Sequence, residues 1–231
     1  MRRLARLASS LVLAVCCLPA FAAAPAPAKT PTKTIGILVF DGFLTSEVTA
    51  PLEVFGAAVK HAPMSDYRVV LISAAHEKEV RSEEGLRMIA DQTIYDPMHV
   101  DVLIVPSSYH MDPLIKNTDI VSFIQAQNST ASFMASNCSG AFLLGAAGVL
   151  DGKKATTWAG GEKDLAKAFP KVDVQVDQNV VVDGRVVTSN GGPVSYQGAF
   201  ELLAKLSSDK FAKQIEDTIQ FGRLACARPS R

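Results

Sequence analysis

Four short runs rich in β-branched and apolar residues, TIGILVF (34–40), YRVVLIS (67–73), DVLIVPS (101–107) and SFMASN (132–137), constrain this chain more than any other feature. A strand covered on one face alternates apolar with polar residues, whereas a nearly continuous apolar run demands cover on both faces. Between these runs, Glu47 to His61 and Pro113 to Gln127 carry apolar residues at helical spacing. Strands alternating with helices pair in parallel through right-handed crossovers, which predicts an α/β fold with a doubly wound, mostly parallel sheet and helices on both faces. Farther along, VVVDGRVVTS (180–189) sets Asp183-Gly184 between two β-branched runs, a strong hairpin signal. Two closing helices are expected near 194–206 and 208–221.

The first 30 residues are of another kind. Arg2, Arg3 and Arg6 precede an apolar stretch from Leu7 to about Phe21 that ends in small residues, the layout of a secretory signal peptide. About 15 apolar residues are too few to cross a bilayer. Ala20 and Ala22 place the expected cleavage after Ala22, leaving 231 − 22 = 209 residues for a periplasmic or secreted protein with no membrane attachment. Residues 23–33, rich in Ala, Pro, Lys and Thr, read as an extended tether. A single domain is expected over 34–222, followed by a tail at 223–231.

Charge narrows the partners. The chain has 23 basic and 23 acidic residues; losing three arginines leaves 23 − 3 = 20 basic against 23 acidic, a balance near −3. That argues against nucleic acid as a partner. Of the four cysteines, Cys16 and Cys17 leave with the signal, so Cys138 and Cys226 remain. Two thiols make no disulfide framework, although one Cys138–Cys226 bridge would suit an oxidising compartment. No CxxC or HxxxH spacing occurs, so no metal and no cofactor is expected.

In an open α/β sheet, ligands collect beyond the carboxyl ends of the strands. This directs attention to 40–47, 106–111, 137–140 and 189–192. The segment Ala135-Ser136-Asn137-Cys138-Ser139-Gly140-Ala141 passes from a buried strand straight into an apolar helix and is similar to a nucleophile elbow. A thiol at such a turn faces a helix N-terminus, which is expected to stabilise thiolate and lower the pKa. The Ser139 N–H would point at charge developing on a substrate atom. The bland alternative is that Cys138 is a small buried hydrophobe.

Several of these residues together carry a likeness. Phe40-Asp41-Gly42 with Thr49-Ala50-Pro51-Leu52-Glu53-Val54-Phe55-Gly56, then Cys138-Ser139-Gly140-Ala141 and Gly148-Val149-Leu150-Asp151-Gly152 through Thr157, resemble the ThiJ/PfpI superfamily across essentially all of 34–222. Within it the likeness is to the branch holding isonitrile hydratases and the N-terminal domains of AraC-type regulators. The resemblance implies a flavodoxin-like fold of the class I glutamine amidotransferase type and a small-molecule substrate. It also implies a carboxylic acid beside the cysteine, at the position of Glu47, that exchanges a proton with the sulfur. Homodimers are common among such relatives.

Two departures stand out. Trp158 occupies a position where many relatives carry His, which argues against amidotransferase chemistry. Ser107-Ser108 replaces a Gly-Gly pair, which puts the backbone oxyanion contact in doubt because Ser resists strained dihedrals that Gly tolerates. Ser107, Ser108 and Ser139 are the candidate oxyanion or binding residues. Tyr109, His110, Trp158 and Asp41 are candidates to line the pocket, with His110 also readable as a surface histidine and Asp41 as a turn residue. The expected activity is hydration or hydrolysis at a small electrophilic carbon, with isonitrile to N-substituted formamide as the leading choice. The alternatives are a ligand-binding domain without catalysis and a thiol that senses oxidation.

Overall fold

The computed structural model describes residues 30–223. The expected signal peptide, the tether up to residue 29, the tail from 224 and Cys226 lie outside the described residues. In chain order the elements are β1 (Lys33–Val39), α1 (Thr45–Ala58), β2 (Tyr67–Ser73), β3 (Glu79–Arg81), β4 (Arg87–Ile89), β5 (Gln92–Thr93), β6 (Val102–Val105), α2 (Met111–Ile115) and α3 (Thr118–Asn128). Then follow β7 (Phe133–Asn137), α4 (Gly140–Ala146), β8 (Lys154–Ala155), α5 (Glu162–Ala168), β9 (Asp173–Val174), β10 (Val180–Asp183), β11 (Val186–Ser189), α6 (Ser195–Leu206) and α7 (Asp209–Thr218).

Seven strands form the main sheet in the order β10-β11-β7-β6-β1-β2-β5. Every neighbouring pair is parallel except the β10–β11 hairpin at one edge. All four residues of β6 and six of seven in β1 are buried, the pattern of strands covered on both faces. Helices α1, α6 and α7 pack on one another, as do α2, α3 and α4, and each group contacts the sheet. The expected doubly wound, mostly parallel fold is what the chain adopts.

Local differences have local causes. The single helix expected over 113–127 is broken at Lys116-Asn117, because the Asn117 side chain accepts the N–H groups of Asp119 and Ile120 and starts a new helix there. The hairpin turn is centred one residue later than Asp183-Gly184. Asp183 pairs with Val186, so Gly184 and Arg185 form the turn, with Gly184 at φ +60° where a side chain would be strained. Strands β3, β4, β5, β8 and β9 have two or three residues each, too few to leave a period in the sequence.

Candidate functional site

The carboxyl ends of β1, β6, β7 and β11 converge at one edge of the sheet. Backbone bonds tie their loops together: the Leu44 N–H donates to the Ser107 carbonyl, and the Cys138 N–H donates to the Ser189 carbonyl at 2.8 Å. Cys138 follows β7 directly and has φ +51°, one of only three non-glycine residues at positive φ among the described residues. The turn is held from outside by the Thr157 hydroxyl, which donates to the Cys138 carbonyl at 2.9 Å. Gly140 lets α4 leave so sharply, since a Cβ there would overlap the Val105 and Pro106 carbonyl oxygens. The sharp strand-to-helix turn expected from sequence is present.

Glu47 lies in the first turn of α1 and is fully buried. Its carboxylate accepts the Ser107 N–H at 2.7 Å on one oxygen and the Gly192 N–H at 3.3 Å on the other. Cys138 sits beside it, and both pack against Gly191 (φ +81°), where a Cβ would collide with the Cys138 Cβ and with Glu47 Oε1. Burial pushes the Glu47 carboxyl above its ordinary range, with the Ser107 and Gly192 bonds opposing that shift in part.

The thiol corrects an expectation. Rather than being lowered at a helix N-terminus, Cys138 is pushed up to about 11, first by burial and then by the neighbouring Glu47 carboxylate. The Ser107 hydroxyl and the Ser139 N–H beside the sulfur work the other way, but both are outweighed, and α4 is only seven residues long. Both groups hold a proton more tightly than they would in water, and a proton moved from the sulfur to Glu47 removes the charge that disfavours thiolate.

A network absent from the sequence reading fixes Glu47. Pro51 lies inside α1 four residues after Glu47, and having no N–H it leaves the Glu47 carbonyl without its helical partner. The Asn137 side-chain amide takes that place, donating to the Glu47 carbonyl at 2.9 Å. Its own carbonyl accepts the Ser189 hydroxyl at 2.6 Å, and the Ser189 oxygen accepts the Gly191 N–H at 3.3 Å. A polar residue at a buried strand end next to a helix proline was the sequence signal that could have found it.

The pair opens into a cavity of about 600 Å³, within the range of small-molecule sites. Leu44, Met111, Ile115, Phe142 and Trp158 supply apolar walls; Ser107, Ser108, Tyr109 and Ser139 add polar groups. Trp158 stacks on Phe142 with ring centroids 5.4 Å apart. The charged lining residues are Glu47, Asp112 and Asp164, all acidic. Among the described residues no group of His, Cys, Asp or Glu is arranged to hold a metal.

Two candidates are not in the lining. His110 is exposed, and its N–H donates to the Ser108 hydroxyl at the start of α2. Asp41 turns away to accept the Arg81 N–H at 2.9 Å, holding the β3 strand. The concern over Ser107-Ser108 is also revised, because neither residue has positive φ and the serines sit there without left-handed strain. What is lost instead is donor availability. The Ser107 N–H is bound to Glu47 and the Ser108 N–H to the Met111 sulfur at 3.2 Å, leaving the Ser139 N–H as the backbone donor beside the reacting sulfur.

With this geometry in view, residues 33–205 match the DJ-1/PfpI family. The chain belongs to that family. It is 30% identical over 188 residues to an isonitrile hydratase from Pseudomonas putida, covering 81% of this chain and 78% of that one. Its fold is shared with a ThiJ/PfpI family protein from Pseudomonas syringae, at a TM-score of 0.72 and 21% identity over 87% of this chain and 78% of the other. It is shared also with an AraC family transcriptional regulator from Pseudomonas putida, at a TM-score of 0.71 and 17% identity over 81% and 99%.

Proposed function

We propose that this protein is a cysteine-dependent hydratase of small electrophilic carbon centres, with isonitriles converted to N-substituted formamides as the leading reaction. The observation that carries the reading is the buried Glu47 carboxylate set beside Cys138 at an elbow that opens into an apolar cavity. Likeness to an isonitrile hydratase over most of both chains supports it.

In this scheme Glu47 takes the thiol proton and the thiolate attacks the terminal isonitrile carbon. The protonated Glu47 then delivers its proton to that carbon, giving a thioimidate, R–N=CH–S–Cys138. Water adds across the C=N bond, oxygen to carbon and hydrogen to nitrogen. The C–S bond breaks, the hydroxyl proton returns through Glu47 to sulfur, and R–NH–CHO leaves. The Ser139 N–H stabilises charge on sulfur during attack. No histidine is needed, which agrees with Trp158 at the pocket wall. A lining whose only charges are acidic favours neutral or cationic substrates over anionic ones.

The test is a panel of alkyl, aryl and aminoalkyl isonitriles with formamide followed by mass spectrometry. Formation that requires Cys138 supports the reading; no product on the whole panel refutes it. The resting neutral thiol favours a second reading, a ligand-sensing domain, which tight binding of panel members without turnover would reveal.

A further inference from the structure

Trp158 and Phe142 are both half-buried, and both line the cavity that holds Cys138. Their rings stack with centroids 5.4 Å apart, and Phe169 meets Phe142 edge-on at 5.9 Å to complete a row of three. Two glycines make room for this row. A Cβ at Gly161 would overlap the Trp158 indole, and one at Gly145, inside α4, would overlap the Phe169 ring. Neither glycine has positive φ, so it is space and not backbone conformation that calls for glycine. The row is also fixed relative to the nucleophile. Phe142 lies in the first turn of α4, four residues after Cys138. The Thr157 hydroxyl donates to the Cys138 carbonyl at 2.9 Å, and the Asn190 side-chain amide donates to the Thr157 carbonyl. The Gly161 N–H donates to the Trp158 carbonyl at 2.9 Å, so the backbone is held on both sides of the indole. A wall held this firmly loses little freedom when a ligand settles on it. It prefers a ring to an aliphatic group of the same size, because aromatic pairs attract beyond the area they bury.

We propose that Trp158, with Phe142 stacked on it, is the specificity-determining residue of this site and selects substrates that carry an aromatic ring beside the reacting group. This deepens the hydratase reading by naming the substrate class, and rests on it only in placing the reacting group at Cys138. The ring lies against the indole while the reacting group reaches the sulfur. Leu44, Met111 and Ile115 complete an apolar lining that any substituent can use, so discrimination between ring and aliphatic group falls to Trp158 and Phe142. An aromatic pair supplies about two- to tenfold of preference beyond area burial.

Binding tests this without turnover. Wild type, Trp158→Phe and Trp158→Leu are titrated with two matched pairs of probes, N-phenylformamide with N-cyclohexylformamide and benzamide with cyclohexanecarboxamide. Slowed iodoacetamide labelling, followed by peptide mass at Cys138, reads occupancy in all three proteins. Trp158 is the only tryptophan in the chain, so wild-type fluorescence reads contact with that indole alone. Wild type should hold the phenyl member of each pair about two- to tenfold more tightly than the cyclohexyl member, with a change in Trp158 fluorescence. Trp158→Phe should keep a preference, and Trp158→Leu, which leaves an apolar wall, should lose it. No preference in wild type, a preference unchanged in Trp158→Leu, occupancy by phenyl probes with Trp158 fluorescence unaltered, or no occupancy by any probe would each overturn the proposal. If the ring preference appears while the isonitrile panel yields no formamide, the isonitrile reading falls and the Trp158 assignment stands.

Discussion

The Glu47 carboxylate and the Cβ of Cys138 press on the same spot of Gly191, so closely that a methyl group there would overlap both. The loops that follow β7 and β11 and the first turn of α1 meet at that glycine, which makes it a sensitive reporter of the site. Gly191→Ala is expected to cost about 1–2 kcal/mol from its left-handed φ, with about 1–3 kcal/mol more from overpacking. It should also lower turnover by about a hundredfold. Gly148→Ala is the control, since φ is +73° but nothing lies within 4 Å of a Cβ there. Thermal melts and turnover of the two variants side by side check this; equal losses in both would contradict it.

Raised proton affinity at both members of the pair predicts how reactivity and stability follow pH. Iodoacetamide labelling of Cys138 should rise only well above the ordinary thiol value of about 8.5. Its midpoint should fall in Glu47→Gln, where the repelling charge is gone.

Both folded groups hold their protons to higher pH than in the unfolded chain, so their stability contributions have the same sign. The Glu47 share is whole below the ordinary carboxyl value of 4.5 and lost as pH rises through the folded value. The Cys138 share, about 2–3 kcal/mol, is whole below the unfolded thiol value and lost as pH approaches about 11. Urea titrations across pH should show the lower loss vanish in Glu47→Gln and the upper one vanish in Cys138→Ser. Parallel curves for all three proteins would refute the shifts.

Pro51 and Asn137 should be energetically coupled through the Glu47 carbonyl. Asn137→Ala leaves that carbonyl without a donor and the Ser189 hydroxyl proton without an acceptor, at about 1–3 kcal/mol for each. Pro51→Ala restores an N–H four residues after Glu47, so the double variant should recover about 0.5–1.5 kcal/mol of the loss. Urea midpoints of the four proteins close the cycle; strict additivity would mean that the carbonyl is satisfied some other way.

The sheet was legible because β1, β2, β6 and β7 are continuous apolar runs, and burial on both faces imposes that pattern directly on the sequence. The elbow was legible because the small residues Cys138-Ser139-Gly140-Ala141 join a buried strand to an apolar helix, and at Gly140 a Cβ does not fit. Legibility ended where meaning depends on contacts between distant segments. Nothing local distinguishes Gly191 from other loop glycines, or shows that Asn137 repairs what Pro51 removes. The direction of the thiol shift was misread for the same reason. A helix N-terminus can be seen in sequence, whereas the burial of Cys138 and the charge of Glu47 beside it arise only on folding. His110 sat near the right strand end, but the α2 turn carries it outward.

The central claim is that Glu47 and Cys138 act as one proton-transfer unit. Its most direct test is formamide production from an isonitrile panel by wild type, Glu47→Gln, Cys138→Ser and the double variant. Members of one catalytic unit are non-additive, so each single change should remove at least about a hundredfold of turnover and the double variant should be little worse than the worse single. Turnover that survives Cys138→Ser, or losses that multiply in the double variant, would contradict it.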